Sequence, residues 1–142
     1  MNPNAPEIKL IDLDETGNTP VKDIMKWLRY GDYRGCYVAP EVIKGQWHIK
    51  NDEYSVGVIL YLFLTGNCPF FGYSTEETLK LIQEFKFDQS SYAWTQISEE
   101  GRDLILKLMQ YKPEDRISAA DALKHPWFLK AKKGELKTKE LG

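Results

Sequence analysis

Residues 52–64 read DEYSVGVILYLFL, and this stretch does most to decide the fold. It begins with Asp52, a favourable N-cap residue, and is followed by Gly66, a favourable residue for ending a helix. Its apolar side chains fall on every face of a helix, which is typical of a helix inside a core. The β-branched residues would also suit a strand, but the length favours a helix. We therefore predict that residues 52–64 form the most buried helix of the chain.

Three further helices are predicted after residue 64, over residues 75–85, 98–110 and 118–124. Ser74 and Glu77 have the spacing of a capping box at the start of the first helix. Ser98 and Ser118 precede the other two helices, where apolar residues recur at helical spacing. These helices are expected to pack around the central one, so the chain after residue 40 is predicted to be all-helical.

The chain before residue 40 is predicted to be less regular. Residues 8–11 have the apolar character of a brief strand. Residues 14–34 have poor periodicity and predict a long loop, in which Ile24, Trp27 and Leu28 could line one side of a short helix. Long loops in compact domains tend to be functional or disordered.

Length and composition limit the classes of function. A chain of 142 residues is about the size of one domain, and its net charge of −2 indicates no general attraction to nucleic acid or membranes. Residues 58–64, the longest apolar run, are far short of the roughly 20 residues that span a bilayer. Residues 1–6 have no apolar core of a signal peptide. A cytoplasmic or nuclear location is the expectation.

Two cysteines, Cys36 and Cys68, are too few for a disulfide framework and suggest a reducing compartment. One pair could still form, although unpaired buried thiols are the simpler interpretation. Residues 130–142 form a lysine-rich tail. This tail is interpreted as a solvated end of the chain, with a basic docking or autoregulatory segment as the alternative.

Five short motifs follow one another along the chain. They are CYVAPEVI at 36–43, DEYSVGVIL at 52–60, Gly66 with Pro69 and Phe70, PEDRIS at 113–118, and HPWF at 125–128. Their order and spacing resemble those of the carboxy-terminal half of a serine/threonine protein kinase domain. The residues within the motifs are most similar to those of calcium-dependent and calmodulin-dependent kinases.

The resemblance implies a mainly α fold, the large lobe of a kinase truncated before its catalytic loop. It implies a partial kinase domain over residues 1–129, with an activation segment at 12–41 and a helical core at 42–129. Residues 130–142 then form the separate basic tail.

The resemblance gives structural roles to three residues. Glu41 and Arg116 are expected to form a buried ion pair that ties the activation segment to the helical core, since an arginine fork can grip a carboxylate with two hydrogen bonds. Asp52 accepts hydrogen bonds from the catalytic-loop backbone in the family, and a plain helix cap is the alternative here. His125 and Trp127 resemble core-packing residues.

Asp12 is the candidate metal ligand. The sequence Ile11-Asp12-Leu13-Asp14 stands where the family has Asp-Phe-Gly, whose aspartate holds the Mg²⁺ that bridges the ATP phosphates. Asp12 matches that role in a complete kinase, and a turn residue after a strand is the alternative. Asp14 departs from the family's glycine, which reaches backbone angles that other residues adopt only at a cost.

Other family features do not occur in these 142 residues: the Gly-rich loop, the strand lysine and the His-Arg-Asp loop. We therefore assign no catalytic and no cofactor-binding residue, and ATP and Mg²⁺ are implied only for a complete kinase. Tyr33 and Arg34 replace the family's Gly-Thr before the activation segment ends. Thr16 and Thr19 are candidate phosphorylation sites.

Two functions follow from these observations. The first is a fragment of a kinase that transfers the ATP γ-phosphate to protein serine or threonine and is inactive alone. The second is a non-catalytic, pseudokinase-like module for protein interaction or regulation, favoured by Asp14, Tyr33 and Arg34. The expected partner is a protein substrate or a regulatory protein, with a missing amino-terminal lobe as a further candidate; neither nucleic acid nor a membrane is expected.

Overall fold

The computed structural model describes residues 33–133, in which every regular element is a helix. In chain order they are a 3₁₀ helix η1 (Tyr33–Tyr37), α1 (Pro40–Ile43), α2 (Asn51–Thr65), α3 (Thr75–Gln83), α4 (Tyr92–Gln96), α5 (Glu99–Leu108), a second 3₁₀ helix η2 (Pro113–Asp115), α6 (Ala119–Ala122) and α7 (Pro126–Lys132). The prediction of a mainly α fold is confirmed. The predicted strand at 8–11, most of the loop at 14–34 and most of the basic tail lie outside the described residues.

Serine side chains start three helices where the sequence predicts them. The hydroxyl oxygens of Ser74, Ser98 and Ser118 accept backbone N–H hydrogen bonds at the beginnings of α3, α5 and α6. Each helix ends earlier than predicted. In α3 the helix stops at Gln83 because the chain turns at Phe85, which has a φ of 54°.

Three short α-helices, α1, α4 and α7, have no counterpart among the predictions. Ser91 caps α4 by accepting a hydrogen bond from the Trp94 N–H. Pro126 begins α7, where its fixed φ suits the first helical position and its missing N–H costs nothing. Helix α7 continues to Lys132, so it enters the stretch that the sequence assigns to the basic tail.

Helix α2 crosses α5 at very short range, and Gly57 makes this possible. A Cβ atom at position 57 would lie 2.6 Å from Cγ of Met109 and 2.9 Å from Cβ of Leu108. Both distances are below normal contact, so only glycine fits without a shift of α5. Tyr54 and Val58, on either side of Gly57 in α2, are fully buried in the core.

Aromatic rings fill the core beside this crossing. Tyr61 of α2 stacks on Trp94 with ring centroids 5.5 Å apart, and Phe87 packs edge-on against both rings. Phe70 and Phe85 extend the cluster through Phe87. Aromatic pairs in such offset and edge-on arrangements stabilise beyond their buried area. A second cluster joins α5 to α6 and α7: Leu104, Leu108, Ala122 and Trp127.

The prediction that α2 is buried on every side is wrong for one face. Val56 is 50% exposed, Ile59 is 39% exposed and Phe63 is 79% exposed. These residues are three and four positions apart and therefore share one face of the helix. The sequence shows that this face is apolar, whereas burial requires a neighbouring element. No described residue covers most of it.

The beginning of α2 also differs from the prediction. The helix starts at Asn51, and Lys50 occupies the N-cap position without a side-chain cap. Asp52 therefore lies in the first turn and is exposed, so the prediction of Asp52 as the N-cap is wrong. Its carboxylate still lies at the positive end of the helix dipole, where an anion is favoured. Gly66 ends α2 in the left-handed conformation, as predicted.

Gly57→Ala is expected to destabilise the chain by about 1–3 kcal/mol, because α5 must move to admit the new methyl group. Alanine is otherwise the better helix former, so a clash alone accounts for this sign. Chemical denaturation measures the change. Val56→Ala, one residue away on the exposed face, is the control and should change the stability by less than about 1 kcal/mol. Equal or greater stability of Gly57→Ala would contradict the close crossing.

Candidate functional site at the Glu41–Arg116 ion pair and a groove beside Cys68

Glu41 and Arg116, which are 75 residues apart in sequence, form a buried two-pronged ion pair. The Arg116 Nη1 lies 2.6 Å from Glu41 Oε1, and Nη2 lies 2.7 Å from Oε2. Arg116 is 2% exposed and Glu41 is 6% exposed. The predicted contact is therefore present, with the parallel hydrogen bonds that make arginine–carboxylate pairs strong and directional.

The other three guanidinium N–H groups donate to backbone carbonyl oxygens. Nε donates to the carbonyl of Gln110 at 2.8 Å, and Nη1 donates to that of Lys50 at 3.0 Å. Nη2 donates to the carbonyl of Tyr111 at 3.2 Å. All five donors of the guanidinium are thus satisfied. A charge buried in this way is tolerable only with such complete pairing.

An aromatic ring and a second cation complete the surroundings. The guanidinium carbon lies 5.0 Å from the ring centroid of Tyr54, within the range of a cation–π contact. Burial raises the pKa of the Tyr54 phenol well above its usual range, so this side chain stays neutral. The Lys50 ammonium donates to the Arg116 carbonyl at 2.5 Å. The side chain of Lys50 therefore donates to the Arg116 carbonyl, and the side chain of Arg116 donates to the Lys50 carbonyl.

Local sequence places both members of the pair. Pro40 starts α1, the single helical turn that carries Glu41, and Ala39 precedes it in an extended conformation. On the other side, η2 ends at Asp115, and Arg116 follows it in an extended conformation. The next residue, Ile117, donates its N–H to the Lys107 carbonyl of α5 at 3.1 Å. The ion pair thus joins α1 to the segment that follows α5.

A groove of about 600 Å³ lies beside the end of η1. Its lining residues come from η1, from the end of α2 and from the loop that follows: Tyr37, Leu62, Gly66, Asn67, Cys68 and Phe71. The hydroxyl of Ser55 in α2 donates to the Tyr37 carbonyl at 2.9 Å and holds η1 against α2. The groove is therefore bounded by two segments that are distant in sequence.

Cys36 and Cys68 lie next to this groove with their sulfur atoms 3.5 Å apart. Neither is in a disulfide. Cys36 is 2% exposed, whereas Cys68 is partly exposed. Burial, assisted by the Cys68 thiol, raises the pKa of Cys36 to about 12, so its thiol is protonated at neutral pH.

His125 forms hydrogen bonds that connect the start of α7 to α5. Its Nδ1 accepts a hydrogen bond from the Trp127 N–H, so Nε2 carries the proton and donates to Asp103 at 2.8 Å. The Lys107 ammonium also binds Asp103 and lowers the pKa of that carboxyl. These contacts tie α7 to α5 and agree with the core-packing role of His125 and Trp127.

The structure brings together only some of the residues that the sequence singles out. Glu41 and Arg116 meet, whereas Asp52 is exposed at the start of α2. Asp12, Asp14, Thr16 and Thr19 lie outside the described residues. Within 33–133, no three histidine, cysteine or carboxylate side chains are grouped closely enough to hold a metal ion. No helix in that range is long and apolar enough to cross a membrane.

Two features of the site are missed by the sequence reasoning. The carbonyl groups of Lys50, Gln110 and Tyr111 bind Arg116 through the backbone, which leaves no side-chain signal. The approach of Cys36 to Cys68 joins residues 32 positions apart and has no local motif. The presence of just two cysteines was the one available hint.

The fold and the buried ion pair define the class as the helical lobe of a protein kinase, and comparisons agree. The family model described as "Protein kinase domain" matches residues 2–128. The chain belongs to the protein kinase family.

Several curated relatives are calcium-dependent protein kinases. Calcium-dependent protein kinase 3 of Plasmodium berghei is 44% identical over 96 residues, which cover 68% of this chain and 17% of that protein. Calcium-dependent protein kinase 29 of Arabidopsis thaliana is 42% identical over 96 residues, or 68% of this chain and 18% of that protein. The chain thus spans less than one fifth of the length of these relatives.

A solved structure also matches. The twitchin kinase region from C. elegans superposes with a TM-score of 0.63 at 38% identity, over 65% of this chain and 17% of that one. The predicted resemblance to the large lobe of a serine/threonine kinase, similar to calcium-dependent kinases, is confirmed. The family generally uses ATP and Mg²⁺. Asp12, the candidate metal ligand, lies outside the described residues, so we derive no step through ATP or Mg²⁺.

Glu41→Gln is expected to destabilise the chain by about 3–5 kcal/mol, because it leaves the buried Arg116 charge without its counter-charge. Thermal and chemical unfolding measure the loss. The control is Lys124→Ala, which removes the exposed Lys124–Asp121 pair and should cost at most about 1 kcal/mol. Equal effects of the two substitutions would contradict the burial of the Glu41–Arg116 pair.

Proposed function

We propose that this chain is a fragment of a serine/threonine protein kinase domain that is inactive alone and forms part of a larger catalytic assembly. The observation that carries the proposal is the apolar stripe of Val56, Ile59 and Phe63 on α2. Large apolar side chains on one helix face favour a partner surface, since their burial stabilises by about 25 cal/mol per Å². The proposed occupant is the part of a kinase domain that precedes the matched stretch in the calcium-dependent relatives.

The proposed reaction of the complete assembly is transfer of the ATP γ-phosphate to a serine or threonine hydroxyl of a protein. Such transfer depends on several groups positioned together, namely a phosphate-binding lysine, metal-binding carboxylates and a catalytic aspartate. Among the residues of this sequence, Asp12 is the candidate for one of these roles. The proposed partners are the rest of the kinase domain and a protein substrate, and the proposed location is the cytoplasm or nucleus.

A non-catalytic regulatory module is the second candidate. It is favoured by Asp14, Tyr33 and Arg34, which replace residues that active family members use around the metal and the catalytic aspartate. The helical core and the Glu41–Arg116 pair suit both functions, because they are architecture. The two candidates differ in whether the assembled protein transfers phosphate.

The first test concerns the stripe in the isolated chain. Phe63→Ser is expected to change the unfolding free energy by less than about 0.5 kcal/mol and to lower binding of a hydrophobic dye, because Phe63 is exposed. The control is Tyr92→Ser, which alters an aromatic residue that is also 79% exposed but lies on α4. A loss of several kcal/mol in Phe63→Ser alone would contradict an open stripe and show that Phe63 is already packed within the isolated chain.

The second test is reconstitution. The purified chain is mixed with the preceding kinase-domain part of the Plasmodium berghei relative, and binding is measured by calorimetry. The proposal predicts binding that Phe63→Ser weakens by roughly tenfold or more, as expected for a buried anchor, and that Tyr92→Ser leaves unchanged. Equal binding by both variants would exclude the stripe as the interface.

Labelled ATP and a basic peptide then report on catalysis. The isolated chain should give no transfer, and the assembled pair should give transfer that Asp12→Asn abolishes. Binding without transfer would favour the regulatory module. Transfer by the isolated chain that is lost in Asp12→Asn would overturn the fragment proposal.

A further inference from the structure

We propose that Cys36 and Cys68 are a redox modification site, which peroxide converts into an intramolecular disulfide that staples η1 to the loop after α2. The inference rests on the geometry of the two thiols and is independent of the proposed function. It assigns a chemical role to two residues that otherwise contribute only packing: Cys36 is part of the buried core, and Cys68 packs against that core.

Proximity is the first support. The two sulfur atoms are 3.5 Å apart, with the Cys36 thiol directed toward Cys68 as a hydrogen-bond donor. Closing this distance to a bond of about 2.05 Å requires a movement of about 1.5 Å, which side-chain rotation and small backbone shifts can share. Since the sequence has only these two cysteines, any disulfide within one chain must join them.

The two thiols differ in solvent exposure, and this difference determines which of them reacts first with peroxide. Cys68 is partly exposed and lines the groove with Tyr37 and Phe71, so a small oxidant in water can reach it. Cys36 is buried at the end of η1 behind it. Cys68 is therefore the residue that meets peroxide, and Cys36 is the residue that resolves the product.

The two steps balance without any further reactant. The Cys68 thiolate attacks one oxygen of hydrogen peroxide, the O–O bond breaks, and Cys68 becomes a sulfenic acid with release of water after proton transfer. The Cys36 sulfur then attacks the sulfenic sulfur, the S–O bond breaks, and the departing hydroxide takes the Cys36 proton as a second water. Two thiols lose two hydrogens and one peroxide is reduced to two waters. Because burial keeps Cys36 protonated, the second step is expected to be the slower one.

The location gives the modification a consequence. Cys36 lies four residues before Pro40, which starts the turn that carries Glu41, and Cys68 lies two residues after Gly66, which ends α2. A hydrogen bond from the Ser55 hydroxyl to the Tyr37 carbonyl links α2 to η1 at this point. A covalent bond here would fix both walls of the groove relative to each other. The oxidised chain should therefore hold the groove more rigidly than the reduced chain.

The test begins with the full 142-residue chain and hydrogen peroxide. Mass spectrometry under non-reducing conditions should show a monomer that has lost two hydrogens, and dithiothreitol should restore it. Cys36→Ser should stop at a Cys68 sulfenic acid that dimedone traps, whereas Cys68→Ser should react much more slowly because Cys36 is buried. Trapping on Cys36, or only disulfide-linked dimers, would overturn the proposal.

Equilibrium with glutathione tests whether the folded chain favours the disulfide. The ratio of disulfide to dithiol should be on the order of 10²-fold higher in buffer than in denaturing urea. The reason is thermodynamic linkage: if the disulfide stabilises the folded chain, folding favours the disulfide by the same free energy. The thermal midpoint of the oxidised chain should correspondingly rise by on the order of 10 °C. If the disulfide-to-dithiol ratio in buffer is no higher than in urea, or if oxidation lowers the thermal midpoint, the native geometry opposes the bond and the inference is refuted.

Discussion

A buried guanidinium must have every N–H group satisfied, and the Arg116 side chain meets this requirement by binding four residues from three parts of the chain. Glu41 supplies the two carboxylate oxygens, and the carbonyl groups of Lys50, Gln110 and Tyr111 supply the rest. These acceptors lie in α1, just before α2, and just after α5. The cost of leaving any donor unpaired in a dry site therefore fixes the relative positions of those segments.

Helix α2 depends on this arrangement and has two different sides. One side meets α5 at Gly57 and the aromatic cluster around Tyr61, where contact is close enough to exclude a single methyl group. The other side presents Ile59 and Phe63 to solvent. Both faces of α2 are thus apolar, but one lies in the core and the other is a candidate interface. The faces differ in which neighbouring elements pack against them, and hydrophobicity does not distinguish them.

The described residues contain the architecture of a kinase lobe and little of its chemistry. The ion pair, the hydrogen bond from His125 to Asp103 and the crossing at Gly57 all hold helices together. In this family, phosphate transfer needs several groups held by different segments, and those segments are supported by a rigid base. Family membership therefore explains why the motifs of this chain that the structure describes are mostly structural.

The sequence alone determined the helical class, the serine caps and the Gly66 stop, and its resemblance to the kinase family implied the pairing of Glu41 with Arg116. Caps and stops are local, because they depend on residues within one helical turn, and the ion pair was accessible through its motifs. Only the tertiary structure decided which face of α2 is buried, because the 3.6-residue period cannot show which neighbours exist. It alone decided that three carbonyl groups complete the Arg116 site and that Cys36 meets Cys68. Backbone acceptors leave no trace in side-chain identity, and a contact between distant residues depends on how the chain folds back on itself.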